Sequence, residues 1–291
     1  MTETASMILD AVPVLKPAEF EKIRLLAYEH FGLDLHNGKQ GLVSARLGKK
    51  LRELGLKSFQ AYYDYVKADR TGAALEAMVD QLTTNHTSFF REPRHFEFLR
   101  KTVYPALHTR SQIHIWSAAC SSGEEPYSIA MSMLEEAPQE AGYKVKIKAT
   151  DISTRVLEKA KNGVYPAERF EGIPISIMQR YLLKGQNAAA NTYRFKREVR
   201  SMIEYGHLNL MEKLPDGPLY SVIFCRNIMI YFDKPTQQSL VQRLTEHIED
   251  GGYLFIGHSE SLNSISHGLE YVSPATYRKP GHGRTGQIGR G

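Results

Sequence analysis

The stretch WSAACSSGEEPYSIA, residues 116–130, decides the fold of this 291-residue chain. An apolar strand pattern at 113–118 leads into a turn of small residues, and apolar residues at helical spacing follow the turn. A strand, a tight turn and a helix in this order predict the first unit of an open parallel α/β sheet. The turn contains a single glycine, Gly123, followed by two adjacent carboxylates, Glu124 and Glu125.

Strand and helix patterns continue to alternate along the chain, which indicates βαβ units and a sheet with helices on both faces. Between residues 163 and 206 the alternation is interrupted, and residues 191–205 alternate as the strands of a hairpin would. We therefore predict a Rossmann-like α/β domain with a small inserted antiparallel β-subdomain. The predicted strands are 113–118, 144–150, 221–225 and 252–257, and the predicted helices are 126–135, 154–162 and 234–248.

The first part of the chain has a different pattern. Between residues 17 and 82, apolar residues recur every three and four positions, with breaks that include Gly55 and Gly72. This pattern predicts an N-terminal helical bundle of four short helices. The predicted organisation is an extension at 1–17, a helical domain at 18–84, an α/β domain at 85–280 with its insertion at about 163–206, and a disordered tail at 281–291.

Composition places the chain among globular proteins, with 42% hydrophobic and 24% charged residues. It has neither an apolar run of about 20 residues nor the basic head of a secretory signal, so we expect a cytoplasmic protein without a membrane insertion. Cys120 and Cys225 have no neighbouring Cys or His at metal-ligand spacing, which predicts neither a disulfide nor a metal site. The net charge of +5 is modest, but residues 39–57 hold six bases and one acid.

The turn at 118–125 indicates what kind of ligand the sheet binds. A pyrophosphate site has several glycines at this position, and Glu124 and Glu125 would repel a pyrophosphate. The same acids suit a positively charged donor without phosphates, such as S-adenosylmethionine. Asp151 ends the second strand, where an acidic side chain binds an adenosine ribose. Two alternatives stay open: the acids only complement the helix dipole, and Asp151 only caps the next helix.

Three blocks of sequence carry a resemblance to a known family. They are TTNHTSFFREPRHF at 83–96, WSAACSSGEEPYS at 116–128 and FCRNIMIYFD at 224–233. They resemble the chemotaxis receptor methyltransferases, the CheR family, and the resemblance extends over residues 18–278. It implies a class I methyltransferase domain in a cytoplasmic bacterial enzyme. Such an enzyme transfers a methyl group from S-adenosylmethionine to glutamate side chains of chemoreceptor helices, leaving methyl esters and S-adenosylhomocysteine.

The resemblance also implies site residues. Arg91 and Tyr231 are expected nearest the substrate carboxylate, and Leu210 is expected to contribute its backbone. Each residue has a structural alternative, as a turn or capping residue, a surface ion-pair partner or a core aromatic. The expected cofactor contacts are Asn85, Thr87, Arg91, Glu125, Asp151, Asn209, Leu210, Arg226 and Asn227.

A basic helix is predicted near residues 39–54, where apolar residues form a stripe on one face and basic residues lie on another face. Its two interpretations are an ordinary solvated face and a docking face for the acidic helical bundle of a receptor. The insertion resembles the β-subdomain that in some members binds a receptor tail peptide as an added strand, and an exposed edge at 193–199 would permit this. No coiled coil or apolar patch requires a dimer, so we expect a monomer. The docking candidates are Lys39, Arg46, Lys49 and Lys50.

Three other functions agree less well with the sequence. A pI near 9.0 suits a nucleic-acid methyltransferase, but residues 225–232 read CRNIMIYF where base-methylating enzymes have [N/D]PP[Y/F], and no aromatic-basic platform is present. A non-catalytic regulator would not need Arg91, Asn227 and Tyr231. The GHSES motif at 257–261 lacks the final glycine of a hydrolase elbow.

Overall fold

The computed structural model describes residues 13–83 and 86–281. The described residues form two compact units, one of residues 13–83 and one of residues 86–281. Of the predicted N-terminal extension, only residues 13–17 belong to the described part, and of the predicted tail only Gly281 does. The rest of both predictions lies outside the described residues.

The first unit has the four helices that the periodicity predicts. Ser58 caps one helix by accepting a hydrogen bond from the Ala61 N–H, and Gly32 ends another in the left-handed conformation that glycine adopts without strain. The apolar positions at three- and four-residue spacing are buried, and Ile23, Val43 and Leu47 have no exposed surface. The helices are α1 (Pro17–Phe31), α2 (Gln40–Glu53), α3 (Phe59–Ala68) and α4 (Ala73–Leu82).

The second unit contains the remaining helices. A π-helical segment, Leu99–Val103, joins the first two of them. Among the described helices of the chain, none combines the length and the apolarity needed to cross a bilayer. The helices are α5 (Pro93–Phe98), α6 (Tyr104–Leu107), α7 (Glu124–Glu136), α8 (Ala141–Lys144), α9 (Thr154–Asn162), α10 (Ile175–Tyr181), α11 (Arg197–Arg200) and α12 (Lys234–Glu246).

The strands of the second unit form two sheets. Seven belong to the main sheet, in the order β6-β2-β1-β7-β8-β10-β9, and three belong to a small antiparallel sheet in the order β3-β5-β4. The strands are β1 (Ile113–Ser117), β2 (Val145–Asp151), β3 (Val164–Pro166), β4 (Leu182–Lys184), β5 (Thr192–Phe195), β6 (Ile203–His207), β7 (Tyr220–Phe224), β8 (Ile248–Phe255), β9 (Glu270–Ser273) and β10 (Thr276–Arg278).

The main sheet is parallel from β6 to β8, and β10 pairs antiparallel with both β8 and β9, so β10 alone runs in the opposite direction. The chain adds β2 and β6 on one side of β1 and then returns to add β7 on the other side, so the strand order reverses between β1 and β7. Separate apolar clusters contain Ile115 and Phe224 on one side and Trp116 and Ile223 on the other. This doubly covered sheet confirms the predicted fold class, and sheets of this class bind ligands at the point where the strand order reverses, here the carboxyl ends of β1 and β7.

The inserted subdomain exists, but the prediction of a hairpin at 191–205 is wrong in its second half. Residues 192–195 form β5, yet Arg197–Arg200 are helical and Ile203–His207 form β6 of the main sheet. The residues of β6 follow the same two-residue alternation as a hairpin strand, so the pattern could not identify their partner.

The predicted free edge at 193–199 is also wrong. Strand β5 is the central strand of the small sheet and pairs with β3 on one side and β4 on the other. The edges of this sheet are therefore β3 and β4, and the Leu183 side chain of β4 is 55% exposed.

Candidate functional site

Polar groups gather at the carboxyl ends of the parallel strands, around the point where the strand order reverses. Ser117 ends β1, Asp151 ends β2, Arg226 follows β7, and Gly257 follows β8. Because parallel strands place their carboxyl ends along one edge of a sheet, residues distant in sequence meet here.

The two acids after Gly123 have different environments. The Glu124 side chain is fully buried, forms an ion pair with Arg169 and accepts a hydrogen bond from Ser122 Oγ at 2.7 Å. Glu125 retains 13% exposure and accepts hydrogen bonds from Ser117 Oγ at 2.6 Å and from Arg226 Nη1 at 2.9 Å. Only Glu125 therefore offers carboxylate surface to a ligand, whereas the charge of Glu124 is neutralised inside the protein.

Arg226 is the centre of the most buried ion-pair network of this edge. Its side chain is 2% exposed, and its guanidinium donates to Glu125 and, through Nη2, to Glu92 Oε2 at 2.9 Å. It also donates to the backbone carbonyl of Arg91. Two carboxylates share one guanidinium, so Glu92, Glu125 and Arg226 together carry one negative charge. Sequence reasoning identified Arg226 and Glu125 but missed Glu92, because no local pattern shows which acid pairs with a distant arginine.

Glu92 connects three loops. Besides Arg226, it accepts hydrogen bonds from the Asn227 side-chain amide at 3.3 Å and from the His258 backbone N–H at 3.2 Å. Burial by itself raises the pKa of Glu92, but the Arg226 guanidinium and the other donors outweigh burial and hold the pKa below its usual value. Glu92 is therefore ionised at neutral pH and keeps the Arg226 charge balanced.

The loop after β7 is held by a second acid that the sequence prediction missed, Glu260. Its carboxylate accepts hydrogen bonds from the backbone N–H groups of Asn227 at 3.0 Å, Met229 at 2.8 Å and Gly257 at 2.5 Å. Asn227 has a left-handed backbone with φ of 59°, which is uncommon for a residue other than glycine. Glu260 therefore determines the path of the chain that leads to Tyr231, and the GHSES motif contributes this anchor.

Asp151 holds the turn after β1. Its carboxylate accepts hydrogen bonds from the Ser121 N–H at 2.8 Å and from the Ser153 N–H at 3.0 Å. The cap of α9 is Ser153, whose hydroxyl accepts from the Val156 N–H, so the alternative that Asp151 only caps this helix is wrong. Asn209 lies nearby, since the Leu208 N–H donates to the Asp151 carbonyl at 3.0 Å.

The remaining predicted residues are placed as follows. The Thr87 carbonyl accepts a hydrogen bond from Arg169 at 2.6 Å, and Arg91 donates to the His86 carbonyl at 2.8 Å. Tyr231 ends a 3-10 turn, Met229–Tyr231, directly after the loop that Glu260 holds. Asn85 lies outside the described residues, and Leu210 is 8% exposed.

Glu92, His95 and His258 bring potential metal ligands within 4.8 Å of one another. Glu92 already pairs with Arg226 at 2.9 Å, and the guanidinium would repel a divalent cation bound to the same carboxylate. The chemistry of this cluster therefore does not favour a metal, and a metal-free site stays our prediction.

The buried His95 should make the free energy of unfolding depend on pH. It is 2% exposed, and burial together with the Arg226 charge lowers the pKa of His95 to about 4. Unfolded His95 has a pKa of about 6.5, so its contribution to stability is complete above that pH. The contribution is lost as the pH falls toward 4, because only the unfolded chain then takes up the proton, and we expect a loss of about 3 kcal/mol.

Urea unfolding between pH 7 and pH 4, followed by the fluorescence of the single tryptophan, Trp116, measures this loss. His95→Gln should remove that part of the pH dependence, and His108→Gln, at an exposed histidine, should retain it. Equal slopes for wild type and His95→Gln would contradict the prediction.

Comparison with known families covers both units of the chain. Residues 18–83 match the all-alpha domain of the CheR methyltransferases, and residues 85–278 match their SAM-binding domain. A chemotaxis protein methyltransferase of Borreliella burgdorferi is 39% identical, with 90% of this chain and 94% of the relative covered. Chemotaxis protein methyltransferase 2 of Pseudomonas aeruginosa is 41% identical over 89% and 92% of the two chains. The Escherichia coli chemotaxis protein methyltransferase is 38% identical over 86% and 87%.

Similar solved structures are more distant. The crystal structure of the DszA carbon methyltransferase covers 82% of this chain and 47% of its own, with 14% identity and a TM-score of 0.36. A likeness at this level carries no argument about substrate or mechanism.

Proposed function

Because this chain belongs to the CheR methyltransferase family, we propose that it transfers methyl groups from S-adenosylmethionine to glutamate side chains of chemoreceptors in chemotaxis. The products are glutamate methyl esters and S-adenosylhomocysteine. The observation that carries this proposal is the Glu92–Arg226–Glu125 network at the point where the strand order reverses. The net negative charge of this network would attract a cationic donor and repel a pyrophosphate.

The residues of this edge fit S-adenosylmethionine. We assign the ribose hydroxyls to the Asp151 carboxylate, whose two hydrogen bonds to backbone N–H groups fix its orientation. We assign the positively charged methionine end to the side of Glu125. Asn85, Thr87, Arg91, Asn209, Leu210, Arg226 and Asn227 complete the proposed cofactor contacts. When bound, the cofactor supplies an electrophilic methyl group on a sulfonium.

The protein's own part in the reaction is orientation and removal of water. A glutamate with a pKa of about 4.3 is already ionised at neutral pH, so the reaction requires no general base. Alignment of a carboxylate oxygen with the methyl carbon and sulfur can contribute about 7–11 kcal/mol. We assign this alignment to the Arg91 guanidinium and the Tyr231 hydroxyl, which orient the carboxylate by hydrogen bonds without holding it so strongly that its reaction slows.

Tritium transfer from methyl-labelled S-adenosylmethionine to receptor-containing membranes tests the proposal. We expect label on the receptor that is released as methanol by mild base, because a methyl ester is base-labile and a methylated amine is not. Calorimetry should show binding of S-adenosylhomocysteine. Binding without transfer would favour the non-catalytic regulator, and label on nucleic acid would favour the nucleic-acid methyltransferase.

Substitution of Asp151 should affect cofactor affinity more than turnover. Asp151→Ala removes the proposed ribose acceptor, and loss of hydrogen bonds to a charged group costs about 1.5–3 kcal/mol. We expect the Kd for S-adenosylhomocysteine to rise by about tenfold to a hundredfold in calorimetry. The control is Asp216→Ala at a 95% exposed aspartate, which should leave the Kd unchanged. An unchanged Kd in Asp151→Ala would exclude the ribose contact.

We further propose that α2 docks the acidic helical bundle of the receptor. The helix buries Val43, Leu47 and Leu51 and exposes the basic residues Lys49 and Arg52. The four predicted docking residues are not equivalent. Arg46 donates to the Leu82 carbonyl at the end of α4, and Lys50 pairs with Glu53 at 3.2 Å, whereas Lys49 is exposed and Lys39 is partly exposed.

Charge reversal on α2 tests this docking. Lys49 and the neighbouring exposed Arg52 lie three positions apart on one face of the helix. Lys49→Glu combined with Arg52→Glu should raise the KM for receptor about tenfold at low salt and leave kcat nearly unchanged, because electrostatics mainly affects encounter. The control is Lys67→Glu with Arg70→Glu, which makes the same charge change at exposed positions on and after α3. An equal rise in both variants would assign the effect to net charge.

The proposal also covers the oligomeric state, the cellular compartment and a receptor tail peptide. We infer that the protein is a monomer in the cytoplasm, and the free, buried Cys120 and Cys225 are consistent with that reducing compartment. A receptor tail peptide, if this chain binds one, would add to the edge strand β3 or β4, since β5 is paired on both sides.

A further inference from the structure

The inserted subdomain contacts the loops to which we assign the cofactor. We call residues 86–92 and 118–124 the cofactor loops, because they contain Thr87, Arg91 and the turn after β1. The subdomain contacts both loops through two side chains of its first segment, Tyr165 of β3 and Arg169 of the 3-10 turn Ala167–Phe170.

Tyr165 holds the turn after β1. Its side chain is fully buried, and its hydroxyl donates a hydrogen bond to the Ser122 carbonyl at 2.6 Å. The approach is so close that a Cβ atom on Gly123 would lie 2.7 Å from the Tyr165 hydroxyl and 2.8 Å from the Ala160 Cβ. Gly123, with φ of 98°, is therefore needed for the close approach of this turn to Tyr165 of the subdomain and to α9, which explains a glycine here without a phosphate ligand.

Arg169 joins the two cofactor loops to each other. One terminal nitrogen, Nη2, donates both to the Thr87 carbonyl at 2.6 Å and to the buried Glu124 carboxylate. Thr87 belongs to the first cofactor loop and Glu124 to the second, whereas Arg169 belongs to the subdomain. A guanidinium has several donors in a rigid plane, so it can hold two acceptors in one arrangement.

An aromatic cluster continues the same contact. Phe89 of the first cofactor loop stacks on Phe170, with ring centroids 4.7 Å apart, and meets the edge of Tyr165 at 5.1 Å. Phe89 also contacts Phe195 of β5 at 5.6 Å. The first cofactor loop is thus packed on the subdomain by apolar contacts as well as by hydrogen bonds.

We propose that the inserted β-subdomain braces both cofactor loops, and that Tyr165 and Arg169 are positioning residues for cofactor binding. This inference rests on the proposed function, because it assumes that S-adenosylmethionine binds at these loops. Loops held in the binding conformation before the ligand arrives lose less conformational entropy on binding, so the brace raises affinity. Because coupling between sites is reciprocal, the bound cofactor must in turn stabilise the subdomain.

Two conservative variants test the brace while preserving the fold. Tyr165→Phe keeps the buried ring and removes only the hydroxyl that holds Ser122. Arg169→Lys keeps a positive charge for buried Glu124 but replaces the rigid, planar guanidinium with an ammonium group on a shorter, flexible stem, which fixes the positions of the two acceptors less firmly. The matched controls lie in the same insertion. They are Tyr193→Phe, whose ring packs on Phe170, and Arg180→Lys, whose side chain is 56% exposed and pairs with Glu135.

Calorimetry with S-adenosylhomocysteine and steady-state kinetics give the readouts. We expect a Kd and a KM for the cofactor about three- to tenfold higher in each test variant, with kcat at saturating cofactor nearly unchanged and both controls like wild type. Hydrogen exchange should show that S-adenosylhomocysteine protects residues 164–170 in wild type and protects them less in Tyr165→Phe.

The results that would overturn the brace differ from the result that would overturn the proposed function. Wild-type affinity in both test variants, or no protection of residues 164–170 by bound ligand, overturns the brace. Equal weakening in test and control variants also overturns it, because the effect would then follow from general destabilisation of the subdomain. If wild type itself binds no S-adenosylhomocysteine, the proposed function fails.

Discussion

Arg226→Met is expected to destabilise the second unit by about 3–5 kcal/mol and to abolish measurable binding of S-adenosylhomocysteine. The side chain is 2% exposed and is shared by Glu92 and Glu125, each at 2.9 Å. Methionine fills a similar volume but leaves two carboxylates close together without a counter-charge, which is far more costly than removing a complete ion pair. Trp116, buried in the second unit, reports its unfolding by urea.

A compensating substitution separates charge from packing in this prediction. Glu92→Gln combined with Arg226→Met removes one of the two unpaired carboxylates and should recover about half of the lost stability. Stability of the single variant should also recover partly as the pH is lowered, because its carboxylates become neutral on protonation. A double variant no more stable than Arg226→Met would show that the network is not held by charge balance.

Arg91→Ala is expected to lower kcat by about a hundredfold or more, because a small misplacement of a reacting carboxylate has an effect of this size. The KM for receptor and the Kd for S-adenosylhomocysteine should change less than kcat. Removal of the side chain costs the loop its hydrogen bond to the His86 carbonyl, but the Arg91 backbone is still held by the hydrogen bond from Arg226 to its carbonyl. Initial rates of tritium transfer at saturating substrates measure the loss.

Arg94 provides the matched control for Arg91. It is exposed three positions further along the chain, at the start of α5. Arg94→Ala should transfer methyl groups at the wild-type rate, and Arg91→Lys should recover part of the loss because it keeps a cationic donor. A wild-type kcat in Arg91→Ala would remove Arg91 from the catalytic role and leave Tyr231 as the residue to test.

The spacing of apolar residues predicted helices correctly where one face of the helix is buried. The helix predicted at 154–162 has those bounds in the structure, and its cap is the preceding serine, Ser153. The four helices of the first unit likewise bury the positions that recur at helical spacing. The same kind of pattern failed at β6, because alternation shows which side chains face inward but does not show which strand lies alongside.

The sequence by itself determined the α/β class, the helical first unit, the presence of an insertion and the motifs that resemble the family. Only the tertiary structure decided which charges meet. Arg226 is separated from Glu125 by 101 positions and from Glu92 by 134, and Arg169 is separated from Glu124 by 45. Periodicity indicates which face of its own helix or strand a residue occupies. The ion pairs between distant residues form because the sheet brings the ends of its strands to one edge. For the same reason, the support that the insertion gives to the cofactor loops became visible only in the folded chain.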